Sequence, residues 1–297
     1  MPDSPTNKRR SRLSPPLVAA FARLWRERWI LALALIYWIT IGWLFLGERP
    51  VDLRPERLLA VDDSAQWLPP GSVHWLGTTP GGEDLLMVSR LAIASSMARA
   101  VLVAFGGVGL AVVIALIGSL DLWQGRWRFF KEIGESFDCL PAMWVFVVIG
   151  AGLSGRWDWF LGLAMLIIGW QASRSMRLWT DQLRQSRHHL VGHGLGLSTR
   201  QLLIRRIIPV LLRRSVGLIA LLIPVVVMLE MSLGFLGLTG DWLNIGTLVA
   251  EAQPYLLEAP WLIIGPGLIA GGFITIFSIL GFAVARATGA REIPIFL

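Results

Sequence analysis

Long apolar stretches alternate with short polar and basic segments along most of this chain of 297 residues. A helix rises 1.5 Å per residue and a hydrocarbon core is about 30 Å thick, so runs of about 20 residues can cross a membrane. Six apolar runs approach or exceed this length, at about 29–46, 91–120, 137–153, 159–172, 207–238 and 261–285, of which the fourth is the shortest. Because backbone in lipid must satisfy its own hydrogen bonds, the pattern predicts an all-α membrane protein with six transmembrane helices.

Basic residues are unevenly distributed among the segments that connect these runs. If the N-terminus is cytoplasmic, 21 of the 27 basic residues lie on the cytoplasmic side, in segments 1–28, 126–131, 174–214 and 286–291. Segments rich in Lys and Arg tend to remain in the cytoplasm. The asymmetry therefore predicts that both termini are cytoplasmic.

This topology divides the chain into parts. We expect the first apolar run to be retained as a span, because Gly-Glu-Arg-Pro follows it instead of a small-residue cleavage site. The predicted parts are a basic cytoplasmic segment 1–28, a first transmembrane helix 29–46, an extracytoplasmic segment 47–90, a five-helix core 91–285 with a cytoplasmic loop at about 187–200, and a cytoplasmic tail 286–297.

Composition supports the membrane interpretation. The chain is 55% hydrophobic and 16% charged, whereas about a quarter of the residues in soluble domains are charged. Its net charge of +7 is explained by membrane topology, and we expect no nucleic acid partner. The single cysteine, Cys139, cannot form an internal disulfide and is interpreted as a small buried apolar residue.

Sequence motifs for catalysis are missing. There is no GxxxxGK[ST] phosphate loop, no HExxH and no GxSxG. His188, His189 and His193 lie close together, but no Cys or carboxylate stands beside them, so solvated loop histidines are expected instead of a metal site. We therefore predict no catalytic residues, no metal and no cofactor bound by this chain. Any work it performs needs energy from another subunit or from an ion gradient.

The first informative motif precedes the second apolar run. It contains His74-Trp75-Leu76-Gly77-Thr78 and then Gly82-Glu83-Asp84. Asp84 stands at the start of the following helix, where a carboxylate can cap free N–H groups and face the positive end of the helix dipole. The predicted site residues of this pre-helix motif are Gly77, Thr78, Gly82 and Asp84.

A second motif lies in the polar, Arg-rich segment 188–209. Gly196 is followed thirteen residues later by Pro209, where the next apolar run begins. Three glycines at 192, 194 and 196 permit a tight turn, and Ser198 can cap the helix that follows. The segment can thus form a helix–turn–helix, and a generic basic loop is the alternative.

The third motif places a carboxylate in an apolar run. Glu230 lies in Leu229-Glu230-Met231-Ser232-Leu233-Gly234-Phe235-Leu236-Gly237-Leu238, and a charged residue at a bilayer centre costs about 2.5–3.5 kcal/mol on insertion scales. Glu230, with Ser232, Gly234 and Phe235, either lines a translocation path or stabilises packing. In the second case Glu230 would bind backbone or a neighbouring Arg at the helix end.

Together, the motifs resemble the permease subunits of binding-protein-dependent ABC importers, most closely the second permease of the dipeptide, oligopeptide and nickel group. The resemblance runs from about residue 74 to 285 and includes Asp138-Cys139-Leu140-Pro141 and, after the third motif, Ala259-Pro260-Trp261. The sequence departs from the family where Leu190-Val191-Gly192 replaces Glu-Ala-Ala and where Glu83 replaces Arg.

The resemblance implies a type I ABC importer architecture in a bacterial inner membrane. It implies a second homologous permease, two ABC ATPase subunits that bind ATP and Mg, and an extracytoplasmic solute-binding protein as partners. Peptides or related small solutes would pass by alternating access. The residues that the resemblance assigns to an ATPase-coupling loop, together with the proline that follows it, are Leu190, Val191, Gly192, Gly194, Leu195, Gly196, Leu197, Ser198 and Pro209.

Two other classes of protein remain as alternatives. A gradient-driven secondary transporter or channel subunit would use Glu230 for proton coupling, although the sequence has no internal repeat of the kind that transporters favour. An intramembrane hydrolase would need a nucleophile and a base, and no such arrangement is evident. The sequence leaves the transported solute open.

Overall fold

The computed structural model describes residues 67–119, 142–152, 158–186, 198–239 and 242–290. The predicted N-terminal segment 1–28, the first span 29–46 and residues 291–297 of the tail lie outside this part of the chain. So do residues 47–66 and the loop residues Leu190, Val191, Gly192, Gly194, Leu195, Gly196 and Leu197.

The described residues are mainly helical. The helices are α1 Leu85–Ser119, α2 Ala142–Gly152, α3 Asp158–Arg184, α4 Thr199–Leu202, α5 Ile208–Phe235, α6 Ile245–Ala252 and α7 Trp261–Thr288. A π-helical turn, Leu203–Ile207, joins α4 to α5, and a short 3-10 turn, Gln253–Tyr255, follows α6. Within the described residues, three helices are long and apolar enough to cross a membrane: Leu85–Gly118, Leu203–Phe235 and Trp261–Thr288. The prediction of an all-helical membrane protein is confirmed to this extent.

The ends of several helices differ from the predicted apolar runs. Helix α1 begins at Leu85 and not near 91, and α3 continues to Arg184 although its apolar run ends near 172. Helix α5 ends at Phe235, followed by Gly237 with φ of 70°, and α7 continues to Thr288 and ends at Gly289 with φ of 77°. Glycine adopts this left-handed backbone without steric cost, which explains both stops.

Small residues allow the long helices to pack closely. A Cβ atom added to Gly169 of α3 would lie 2.9 Å from the carbonyl oxygen of Gly107 in α1. A Cβ atom added to Gly281 of α7 would lie 2.6 Å from the carbonyl oxygen of Ala220 in α5. In membranes, where apolar burial alone does not drive helices together, such close backbone approach supplies van der Waals contact.

Three apolar clusters run along this bundle. The central one joins α1, α3, α5, α6 and α7, and the second joins α1, α3, the π-helical turn, α5 and the end of α7. The third contains Leu85, Ala252, Ala259 and Leu262, at the end of the bundle where α1 and α7 begin. We call this the cap end. Helix α6 packs against the last turns of α5.

Candidate functional site

The pre-helix motif forms a capped turn at the cap end. The Oδ1 atom of Asp84 accepts hydrogen bonds from the backbone N–H groups of Leu86, at 2.9 Å, and Met87, at 3.1 Å. Its Oδ2 atom lies 2.9 Å from His74 Nδ1. Asp84 therefore caps α1 as the sequence predicted, and the same carboxylate ties the preceding turn to the helix.

The other residues of this motif make the turn compact. Gly77 and Gly82 have φ of 83° and 84°, and a Cβ atom on Gly77 would lie 2.6 Å from the carbonyl oxygen of Leu68 and 2.9 Å from the Trp261 ring. The hydroxyl of buried Thr78 accepts a hydrogen bond from the Leu68 N–H at 2.9 Å. These contacts press the turn against the start of α7.

Glu83 lies in the same turn, and its side chain is partly buried. Burial raises the pKa of its carboxyl from 4.5 to about 7. Its backbone is held in place on both sides, because the Glu83 N–H donates to Thr79 Oγ1 at 3.1 Å and its carbonyl accepts from the Thr79 N–H at 2.8 Å. These two hydrogen bonds fix the backbone of Glu83 within the turn.

Of the nine residues predicted to form or position the coupling loop, Ser198 and Pro209 are described. Ser198 Oγ accepts from the Gln201 N–H at 3.3 Å, and Gln201 Oε1 accepts from the Ser198 N–H at 3.1 Å. This reciprocal pair is a capping box, so Ser198 caps the helix as predicted. From Thr199 the chain stays helical, through the π-helical turn, to Phe235.

Pro209 lies immediately after the π-helical turn. In an α-helix, proline removes one hydrogen bond and its ring clashes with the carbonyl four residues before it. Here the Ile208 N–H donates to the Leu203 carbonyl, five residues earlier, so the backbone is wider just before the proline. This local widening explains how an unbroken helix accommodates Pro209.

Glu230 is fully enclosed and forms an ion pair. Its side chain is 1% exposed, and its Oε1 atom accepts from Arg99 Nε at 2.8 Å and also from Arg99 Nη2. Ser96 Oγ donates to the same oxygen at 3.3 Å. Arg99 lies on α1, whereas Glu230 lies on α5, so the pair joins two helices that are long and apolar enough to cross a membrane.

Arg99 also contacts the chain that follows α5. Its Nη2 atom donates to the carbonyl of Leu243 at 3.2 Å, and its guanidinium lies 4.6 Å from the centre of the Trp242 ring. The Ser95 hydroxyl lies 2.9 Å from the same Leu243 carbonyl and 2.9 Å from the Ala92 carbonyl of its own helix, so its one proton is shared between them. We call residues 242–252, which include α6, the hairpin segment. One guanidinium thus contacts α1, α5 and the hairpin segment.

The hairpin segment packs closely on the end of α5. Asn244 Oδ1 accepts from the Thr247 N–H at 3.0 Å and so caps α6. Gly234 lies directly against the Asn244 side chain, and Gly246 lies directly against the Met231 carbonyl, with no room for a Cβ atom at either glycine. Gly234 is therefore a packing residue.

The remaining two predicted residues of the third motif do not join this contact. The Ser232 hydroxyl donates to the Met228 carbonyl of its own helix at 2.9 Å, and the Phe235 side chain is exposed. For Glu230, the structure shows the contact that the packing alternative requires, an arginine, but on another helix instead of at the helix end. A place for Glu230, Ser232 or Phe235 in a translocation path stays a prediction.

Sequence reasoning missed Arg99 as the partner of Glu230. The signal was present, because Arg99 and Glu230 each stand within a largely apolar stretch of a long helix, and a charge in such a stretch normally has a partner. The two residues are 131 positions apart, so spacing along the chain could not link them. Sequence reasoning also missed three polar residues near this pair, because nothing in the sequence relates them to it: Ser95, Ser96 and Asn244.

Comparisons with known proteins find similarity to peptide permeases. No protein-family model matches it. It is 26% identical over 215 residues to the oligopeptide transport system permease protein OppC of Mycobacterium tuberculosis, covering 70% of this chain and 73% of that protein. It is 28% identical over 236 residues to the protein of the same name from Bacillus subtilis, covering 75% and 72%. The resemblance predicted from the motifs is confirmed, and the chain is a relative of the permeases of ABC peptide importers.

Proposed function

We propose that this chain is a permease subunit of an ATP-driven ABC importer that carries peptides or related small solutes. The observation that carries the proposal is the similarity to oligopeptide permeases, which extends over 70–75% of the chain. The arrangement of the described residues is compatible with this function, because three long apolar helices enclose a polar contact instead of a set of catalytic groups.

The topology that we propose has six transmembrane helices, with both termini in the cytoplasm of a bacterium and the chain in its inner membrane. The distribution of basic residues supports this orientation. The cap end, with the pre-helix motif and the hairpin segment, would then be extracytoplasmic, and Ser198 would lie on the cytoplasmic side.

Partners follow from the same proposal. A second homologous permease would complete the path, two ATPase subunits would bind ATP and Mg, and a solute-binding protein would deliver the solute from outside. The chain itself would bind no cofactor and would not act as an enzyme. The solute would cross by alternating access, in which each partner favours one of two conformations.

The loop at about 187–200 would receive the movement of the ATPases. Its described end supports this role, because Ser198 caps a helix that continues without a break to Phe235 and contains Glu230. A displacement of the loop would therefore reach the buried ion pair along one helix. The loop lacks the Glu-Ala-Ala of the family, so its contact to the ATPase must use other residues.

The alternative of gradient-driven transport through Glu230 is not favoured. Proton coupling needs a carboxyl that gains and releases a proton during transport, whereas Glu230 is enclosed and paired with Arg99. This contact is the kind that stabilises helix packing.

Copurification and reconstitution test the proposal. We expect the tagged chain, purified from its own bacterium, to bring with it a second permease and ATPase subunits, and we expect the assembled complex to take up peptides only with ATP. Solute transport by the purified chain alone would contradict the proposal. In the assembled complex, Arg substitutions at Leu195–Leu197 should uncouple ATP hydrolysis from uptake without preventing membrane insertion, and normal coupling would exclude the role of this loop.

A further inference from the structure

We propose that Arg99 is a positioning residue that fixes the hairpin segment to α1 and α5, so that this segment moves together with the two helices. Its role in transport rests on the proposed function, in which the hairpin segment forms part of the outer mouth of the permease. The contact itself depends only on the described geometry.

The donors of Arg99 are shared among three parts of the chain. Nε and Nη2 both bind the Glu230 carboxylate on α5, and Nη2 also reaches the Leu243 carbonyl of the hairpin segment at 3.2 Å. Within α1, Nη2 lies 3.4 Å from each of the hydroxyls of Ser95 and Ser96. A guanidinium has five N–H donors in a rigid plane, so it can satisfy several acceptors at fixed angles, which a lysine ammonium cannot do in the same geometry.

The hairpin segment depends on α5 and α1 in different ways. It contacts α5 by close packing of Gly246 on the Met231 carbonyl and of Asn244 on Gly234. It contacts α1 through hydrogen bonds from Ser95 and Arg99 to one acceptor, the Leu243 carbonyl. The packing holds the segment by non-directional van der Waals contact, whereas the hydrogen bonds fix its position relative to α1.

Burial explains why the guanidinium stays in place. The Arg99 side chain is 18% exposed and that of Glu230 is 1% exposed, so neither charge has free access to water. Breaking a buried pair leaves an uncompensated charge, which costs far more than replacing both partners together. Arg99 is therefore held by Glu230 at the point where it reaches Leu243.

Two roles of Arg99 are separable by experiment. If Arg99 only neutralises Glu230, the double variant Arg99→Gln with Glu230→Gln restores a neutral core and leaves the hairpin segment as it was. If Arg99 positions the segment, the double variant assembles but the segment loosens. Arg99→Lys retains the charge and loses the planar set of donors, so it gives a second and independent comparison.

Amide hydrogen exchange, followed by mass spectrometry on the full chain with its copurifying subunits in lipid nanodiscs, measures the segment directly. We expect the double variant and Arg99→Lys to raise exchange in residues 242–250 at least about tenfold, with exchange in residues 254–263 unchanged. The matched control is Glu251→Gln, which removes an exposed carboxylate from the same segment and should exchange as the wild type. Ser95→Ala should cause a smaller rise, because it removes one of the two donors to Leu243.

Wild-type exchange in residues 242–250 of both Arg99 variants would overturn the proposal and leave Arg99 as a counter-charge only. This measurement needs no transport, so it can fail or succeed whether or not the chain proves to be an importer subunit. For the transport role, we expect the same variants to retain the basal ATPase rate of the complex and to lose its stimulation by the solute-binding protein. Full stimulation in both variants would exclude that role.

Discussion

Two contacts between the long helices of the described bundle differ in kind. Between α1 and α5 there is a buried ion pair, with hydrogen bonds to a backbone carbonyl of the hairpin segment. Between α5 and α7 the backbones approach closely through Gly217 and Gly281, beside the second apolar cluster. The first arrangement depends on a few directional contacts, whereas the second depends on shape.

The two contacts should respond differently to substitution. The contact between α5 and α7 is the sum of many weak van der Waals contacts. The ion pair leaves a buried charge without its partner when one of the two side chains is removed.

Removal of one charge of the ion pair should cause the largest loss in the free energy of unfolding. Arg99→Ala leaves the Glu230 carboxylate buried without its partner, so we expect the free energy of unfolding to fall by about 3–5 kcal/mol. The double variant Arg99→Ala with Glu230→Ala should lose less than Arg99→Ala alone, because no unpaired charge remains. Reversible unfolding in bilayers or micelles measures both. An equal loss in the two variants would mean that the charges do not interact.

Overpacking of the contact between α5 and α7 should cause the next largest loss in the free energy of unfolding. Gly281→Val places side-chain atoms against the Ala220 carbonyl, and we expect a loss of about 1–3 kcal/mol in the free energy of unfolding. Gly272→Val, on the same helix, is the matched control, since a Cβ atom there meets nothing within 4 Å. Similar losses in the two variants would show that helix propensity, and not contact with α5, determines the result.

The sequence predicted those features that depend on neighbouring residues. Apolar runs located α1, α5 and α7, and both caps, Asp84 and Ser198, were identified from side chains that bind N–H groups two or three positions away. Hydropathy underestimated α3, because its second half becomes polar while the backbone remains helical to Arg184. An apolar pattern predicts which part of a helix contacts lipid, but it does not predict where the helix ends.

The features that the sequence could not predict depend on distant residues. Arg99 and Glu230 meet only because α1 and α5 pack side by side, and Gly246 reads as an ordinary loop glycine until the Met231 carbonyl is beside it. The π-helical turn before Pro209 is also a tertiary result, since Leu203 and Ile207 are both buried in the second apolar cluster. Six spans were predicted, but part of the chain that would contain them lies outside the described residues.

Loss of the side chain that caps α1 should lower the free energy of unfolding by a smaller amount. Asp84→Ala frees the N–H groups of Leu86 and Met87 and removes the contact to His74, and we expect the free energy of unfolding to fall by about 1 kcal/mol. Asp84→Asn retains an oxygen acceptor for the helix, so most of the stability should remain. If alanine and asparagine prove equally harmful, the charge of Asp84 matters more than its capping of α1.

Neutralisation of Glu83 should have an effect that depends on pH. The folded state raises the pKa of this carboxyl from 4.5 to about 7, so folding favours the protonated form. Stability attributable to Glu83 is therefore fully present below about pH 4.5 and is lost as the pH rises to about 7. Glu83→Gln cannot ionise, so its unfolding midpoint should exceed that of the wild type by an amount that grows across this interval and then stays constant. Thermal unfolding at several pH values measures the difference, and a gap of the same size at pH 4 and pH 8 would show that the carboxyl is not held in its buried position.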